Sequence, residues 1–214
     1  CKKFRTNKDM NREEFFSTWS GLHGNAKISG IVKAWLSIAY LIVKPISKVR
    51  ITPNILTILG LFFGLLLFLN ANTFWAPGLL VLSLICDGID GSLAILTKKS
   101  TKWGAILDSV VDRLTEIFWV LALYKIGADL KLLVLVLLTA SLQEYVRARA
   151  AGLGVSEVGI VTFAERPVRA SFVFIVFISL QFNFTIYNQI IICWLALQLI
   201  SLFMLSRFTY SKLR

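Results

Sequence analysis

The sequence predicts an all-α integral membrane protein, six transmembrane helices preceded by an interfacial amphipathic helix. Three observations carry that expectation. Hydrophobic residues make up 57% of the 214-residue chain, with a mean hydropathy of +0.73, whereas soluble domains hold about 45–50%. Apolar stretches near the roughly 20-residue length of a bilayer-crossing helix recur along the chain. The basic residues, 23 Lys+Arg against 12 Asp+Glu, gather in alternate loops, the pattern of cytoplasmic loops facing anionic lipid. They are scattered between apolar spans and form no banded surface, which argues against a nucleic-acid partner. Cys1, Cys86 and Cys193 are too widely spaced for a disulfide framework or a zinc site.

The elements follow in order. Residues 1–29 are polar and mixed in charge, and are expected to form a short cytoplasmic extension with no cleavable signal peptide. Within it His23, the only histidine, reads as a surface or packing residue, because metal sites need several ligands. Residues 30–50 are apolar but carry Lys33, Lys44, Lys48 and Pro45. That suits a helix lying in the membrane interface, with Trp35 and Tyr40 at the boundary. Residues 51–214 form the membrane domain, opening with Pro53 at a helix start. Its six spans are expected at about 53–71, 74–97, 102–126, 130–151, 167–181 and 186–207. The N-terminal region, the 98–102 link, the 147–169 region and the 207–214 tail are basic. The links 70–73 and 182–185 carry no charge. Both termini are therefore expected in the cytoplasm of a cell-membrane protein.

Four aspartates interrupt two of these spans. A carboxylate at a helix centre in hydrocarbon costs roughly 2.5–3.5 kcal/mol on insertion scales, so four together need something positive to gather them. Asp87 and Asp90 are spaced i,i+3, and Asp108 and Asp112 i,i+4. On helices each pair projects from one face. Two neighbouring helices can thus aim four carboxylates at one point near the basic 98–102 link. Hard oxygen ligands without nearby His or Cys suit Mg2+ or Mn2+, as one ion or two. Gly91 and Gly104 leave room for a phosphate or another backbone. Structural polar contacts, or an acid relay in a transporter, are the rival readings.

The pattern D-x2-D-G-x2-A-x9-G-x3-D-x3-D, formed by Asp87, Asp90, Gly91, Ala94, Gly104, Asp108 and Asp112, resembles the signature of the CDP-alcohol phosphotransferase family. One position departs: the family usually has Arg after the Ala, and this chain has Ile95. Lys98, Lys99 or Lys102 is the expected substitute, and a catalytically impaired homologue is the alternative. The resemblance implies transfer of a phosphatidyl group from CDP-diacylglycerol to a polar alcohol, with release of CMP. It implies that Asp87, Asp90 and Asp108 hold metal, and that Asp112 touches metal and accepts the hydroxyl proton. Thr52, Pro53, Asn54, Gly91, Thr101 and Gly104 would bind the CDP-lipid. The segments Tyr145-Val146-Arg147-Ala148-Arg149-Ala150 and Glu165-Arg166-Pro167-Val168-Arg169 are similar to those of actinobacterial phosphatidylinositol phosphate synthases of the family. By that likeness Arg147, Arg149, Arg166 and Arg169 would bind an acceptor phosphate, of inositol phosphate or glycerol 3-phosphate. A homodimer is expected on the same ground.

Overall fold

The computed structural model describes residues 10–22, 25, 27–49, 51–155 and 161–214. His23 and Cys1 lie outside the described residues. Among those described there are eight helices and no strand. They are α1 (Arg12–Leu22), α2 (Gly30–Ile46), α3 (Pro53–Leu69), α4 (Ala76–Leu96), α5 (Lys102–Lys125), α6 (Leu130–Gly152), α7 (Arg166–Gln181) and α8 (Tyr187–Leu213).

Local chemistry explains the starts. Pro53 and Pro77 occupy first-turn positions of α3 and α4, where a missing N–H costs nothing. Thr101 caps α5, its Oγ1 accepting from the Gly104 N–H at 2.9 Å. Asp129 caps α6 by accepting from Leu132 N at 3.0 Å. The last helix runs to Leu213, beyond the expected end near 207.

The stretch read as a polar extension contains α1. Asn11 Oδ1 accepts from Glu14 N at 2.8 Å, and Glu14 Oε2 accepts from Asn11 N at 3.1 Å, a reciprocal cap. The helix is held by Phe15, fully buried with Leu36 and Tyr40 of α2 and Ile95 of α4. In α2, Leu36, Ala39, Tyr40 and Val43 form the buried stripe, while Lys33 and Lys44, and Lys48 just after the helix, are exposed.

Helix α3 is the hinge-pin of the site. A Cβ on Gly60 would sit 3.3 Å from the Ser83 carbonyl of α4, and one on Gly64 would sit 3.1 Å from Thr115 of α5. Two small residues one turn apart let three backbones approach closely. The main core, which includes Leu67, Leu80, Trp119, Leu133, Phe177 and Trp194, then joins α3 to α8. Helices α4 and α8 are long and apolar enough to cross a membrane, and α3 is a shorter apolar helix. Large apolar side chains face outward on every helix from α3 to α8, among them Phe62, Leu82, Val110, Leu138, Ile175 and Phe203. Such a belt is what a lipid-facing surface requires.

Candidate active site

Asp87 and Asp90 fall in the last half of α4, and Asp108 and Asp112 in the first half of α5. The two helices are joined by the basic link and both lie on α3, so these halves share one end of the bundle. Carboxylate oxygens of Asp87, Asp108 and Asp112 lie within 4.8 Å of one another. Asp90 is not part of this trio, and both of its carboxylate oxygens accept hydrogen bonds. Its Oδ2 accepts from Thr57 Oγ1 at 2.5 Å and its Oδ1 from Gly91 N at 2.5 Å.

A guanidinium enters the same cluster. Arg166 Nη1 pairs with Asp87 and approaches Asp112 Oδ1 at 2.8 Å. The second approach is a charge contact without hydrogen-bond alignment, since that buried oxygen has no aligned donor. Arg166 also lies over the Trp119 ring, 5.5 Å from its centroid, a cation–π placement. Three acids around one cation, with a carboxylate oxygen still lacking a donor, fit a divalent metal as further ligand charge. The donor set is all hard oxygen, as Mg2+ and Mn2+ require.

The other arginines are placed differently. Arg169 is fully buried: Glu116 Oε1 lies 2.8 Å from its Nη2, Glu144 Oε1 3.1 Å from the same atom, and the Ala164 carbonyl 2.9 Å from Nη1. Arg147 makes a two-armed pair with Glu165 at 2.8 and 2.9 Å. Arg149 is exposed. Glu165, in the loop before α7, is pushed up by burial. The hydrogen bonds from Arg147 and Thr162 outweigh that and hold its carboxyl at about 2. Glu116 also pairs with Arg113 at 2.6 Å. The carboxylates of Glu144 and Glu165 were not singled out from sequence; only the Glu144–Arg147 approach, one helix turn apart at 3.7 Å, had a local signal, since Glu165 meets Arg147 and Glu144 meets Arg169 across 18 and 25 residues.

A pocket of about 420 Å3 opens beside the acids. Asp87, Asp90 and Asp108 line it, with Pro53, Asn54, Gly91, Thr101 and Gly104, five of the six residues expected to bind the CDP-lipid. Thr52 instead precedes α3 as its N-cap, and the four arginines stand outside the lining. Of the three candidate lysines only Lys99 lines the pocket. Ile95 has a packing reason for being apolar: it is 7% exposed beneath α1, against Phe15, Leu36 and Tyr40. Ile95 also lines the pocket, so the same side chain packs under α1 and borders the expected donor site.

Residues 50–202 match the CDP-alcohol phosphatidyltransferase family, and the chain belongs to it. It is thus a transferase of a membrane-bound family of phospholipid synthesis. Among its relatives is the archaetidylinositol phosphate synthase of Pyrococcus horikoshii, 34% identical over 160 residues, 71% of this chain and 82% of the relative. The phosphatidylinositol phosphate synthase of Corynebacterium glutamicum is 34% identical over 161 residues, 70% of this chain and 69% of the relative. The fold is shared with the crystal structure of Mycobacterium tuberculosis phosphatidylinositol phosphate synthase with CDP-DAG bound. The TM-score is 0.68 at 23% identity, over 81% of this chain and 94% of that one. A second structure of that synthase, in complex with manganese and citrate, matches at a TM-score of 0.68 and 22% identity, over 80% of this chain and 88% of that one.

Proposed function

We propose that the protein transfers a phosphatidyl group from CDP-diacylglycerol to a hydroxyl of inositol phosphate, releasing CMP. The observation that carries this reading is the gathering of Asp87, Asp108 and Asp112, two of which, Asp87 and Asp108, line a pocket together with Asp90, Gly91, Ala94 and Gly104 of the same motif. The names of the two relatives favour inositol phosphate over glycerol 3-phosphate as acceptor.

Asp87, Asp108 and Asp112, with Asp90 beside them, would hold Mg2+ or Mn2+. When bound, the metal neutralises the diphosphate and stabilises the leaving phosphate. The side chains do the remaining work. Asp112 accepts the proton of the acceptor hydroxyl. The freed oxygen bonds to the phosphorus that carries the diacylglycerol, the bond from that phosphorus to the bridging oxygen breaks, and CMP leaves with that oxygen. Pro53, Asn54, Gly91, Thr101 and Gly104 form the walls against the CDP part, with Thr52 at the nucleotide end. Arg166 sits where the acceptor phosphate meets the acids, and Arg147 and Arg149 extend the positive ground along α6. Arg169, within its buried carboxylate pairs, orients the start of α7. Lys99 takes the charge role that Ile95 cannot.

We further read 51–214 as a six-span domain in the cell membrane, with the acids facing the cytoplasm. Residues 30–50 lie in the interface, 1–29 stay on the water side, and the protein works as a homodimer. The strongly basic N-terminal region, 98–102 link, 147–169 region and 207–214 tail, set against uncharged links at 70–73 and 182–185 and a mixed one at 125–131, together with the outward apolar belt, support this reading.

The test is CMP release by purified protein with CDP-diacylglycerol and Mg2+, comparing inositol phosphate, glycerol 3-phosphate and free inositol. Release with inositol phosphate well above the other two is expected. Release with glycerol 3-phosphate alone overturns the acceptor, and none with any alcohol overturns the reaction.

A further inference from the structure

The donor pocket is built partly by residues that precede the family-matched stretch, which begins at residue 50. Trp19 and Leu22 of α1 and Trp35 and Leu36 of α2 line it together with Asp87, Asp90 and Asp108 of α4 and α5. The seating of Trp35 is close, since a Cβ on Gly88 would fall 2.6 Å from its ring. Helix α1 is fixed in place. Phe15 is fully buried, Tyr40 Oη donates to the Met10 carbonyl at 3.2 Å, and Arg12 bonds Ser37. Phe15, Trp19 and Leu22 fall at i, i+4 and i+7, so one face of α1 both anchors the helix and borders the pocket.

Resting on the reading of the pocket as a CDP-lipid site, we propose that α1 is a wall of that site and that the Trp19 indole contacts the nucleotide of the donor. Two observations choose the nucleotide over the acyl chains. Arg12, Glu13 and Glu14 on α1 are exposed and charged, which keeps this helix out of hydrocarbon. The lining of the same pocket includes the polar Asn54, Lys99, Ser100 and Thr101, groups that suit a base, ribose and phosphate. An indole offers a flat face on which a pyrimidine stacks, and such stacking is tolerant of small shifts. It also makes donor affinity depend on a segment outside the family's common stretch.

Steady-state kinetics and equilibrium binding of CDP with Mg2+, on full-length purified protein, test this. Trp19→Ala is expected to raise the KM for CDP-diacylglycerol about tenfold and weaken CDP binding by a similar factor. The acceptor KM stays unchanged, Trp19→Phe recovers most of the loss, and Ser17→Ala on the exposed side of α1 has no effect. Trp19→Leu keeps apolar packing and removes the π-face, so it covers the case in which Trp19→Ala fails to fold. Its donor KM is expected to rise as well. Unchanged donor KM and CDP affinity in Trp19→Leu, with wild-type turnover intact, overturn this inference alone. A wild-type protein that neither releases CMP nor binds CDP overturns the proposed reaction together with it.

Discussion

Asp112 is the side chain on which the chemistry turns. It stands at the acid cluster, one carboxylate oxygen near Arg166 and without an aligned donor. Asp112→Asn keeps the shape and removes the base, so CMP release should fall about 10²–10⁴-fold, with thermal unfolding in detergent little changed. A retained rate would assign the proton to another group. Lys99 is the one lysine of the basic link that reaches the pocket. Lys99→Ala should raise the donor KM several-fold, whereas Lys98→Ala and Lys102→Ala should leave it near wild type. Glu165 gives a pH dependence of stability. Its folded-state value near 2 lies below the ordinary 4.5, so its contribution is complete above about 4.5 and is lost as pH falls through about 2. The wild-type unfolding temperature should therefore drop more steeply across that window than that of Glu165→Gln. Parallel slopes would contradict the Arg147–Glu165 pairing.

At the scale of elements, the close approach of α3 to α4 and α5 brings the acids to one end. Gly64→Leu would drive a side chain into Thr115, and overpacking of this kind costs about 1–3 kcal/mol. Both melting temperature and activity should fall. Gly78→Ala meets nothing within 4 Å and serves as the neutral control. Arg169→Ala removes the buried cation shared by Glu116 and Glu144, leaving Glu116 to Arg113 and Glu144 to Arg147, and breaking a buried pair costs about 3–5 kcal/mol. The start at Pro53 was read from sequence, and Pro77, Thr101 and Asp129 carry equally local reasons for α4, α5 and α6 to begin where they do. Helix α1 was equally local, with Asn11 and Glu14 at capping-box spacing and Phe15, Trp19 and Leu22 on one face. The charge around it masked that periodicity.

Over the whole molecule, the site divides into a legible and an illegible half for a physical reason. The aspartates could be read because i,i+3 and i,i+4 spacings place side chains on a helix face whatever the helix touches. The partners of Arg147 and Asp90 could not: Glu165 and Thr57 are brought in by packing between different helices or a loop. Glu116, one turn after Asp112, could be read as a partner for Arg113 or an arginine of another helix, but only packing shows that it and Glu144 meet Arg169. Nor could sequence tell that Ile95 lies beneath α1. The central claim is that the acids of α4 and α5 form one divalent-cation site serving the transfer. Titration of purified protein with Mn2+, followed by electron paramagnetic resonance, tests it most directly. The account predicts saturable binding in the wild type and its loss or marked weakening in Asp87→Asn and Asp108→Asn, with Glu13→Gln unchanged. Equal Mn2+ affinity in all four proteins would contradict it.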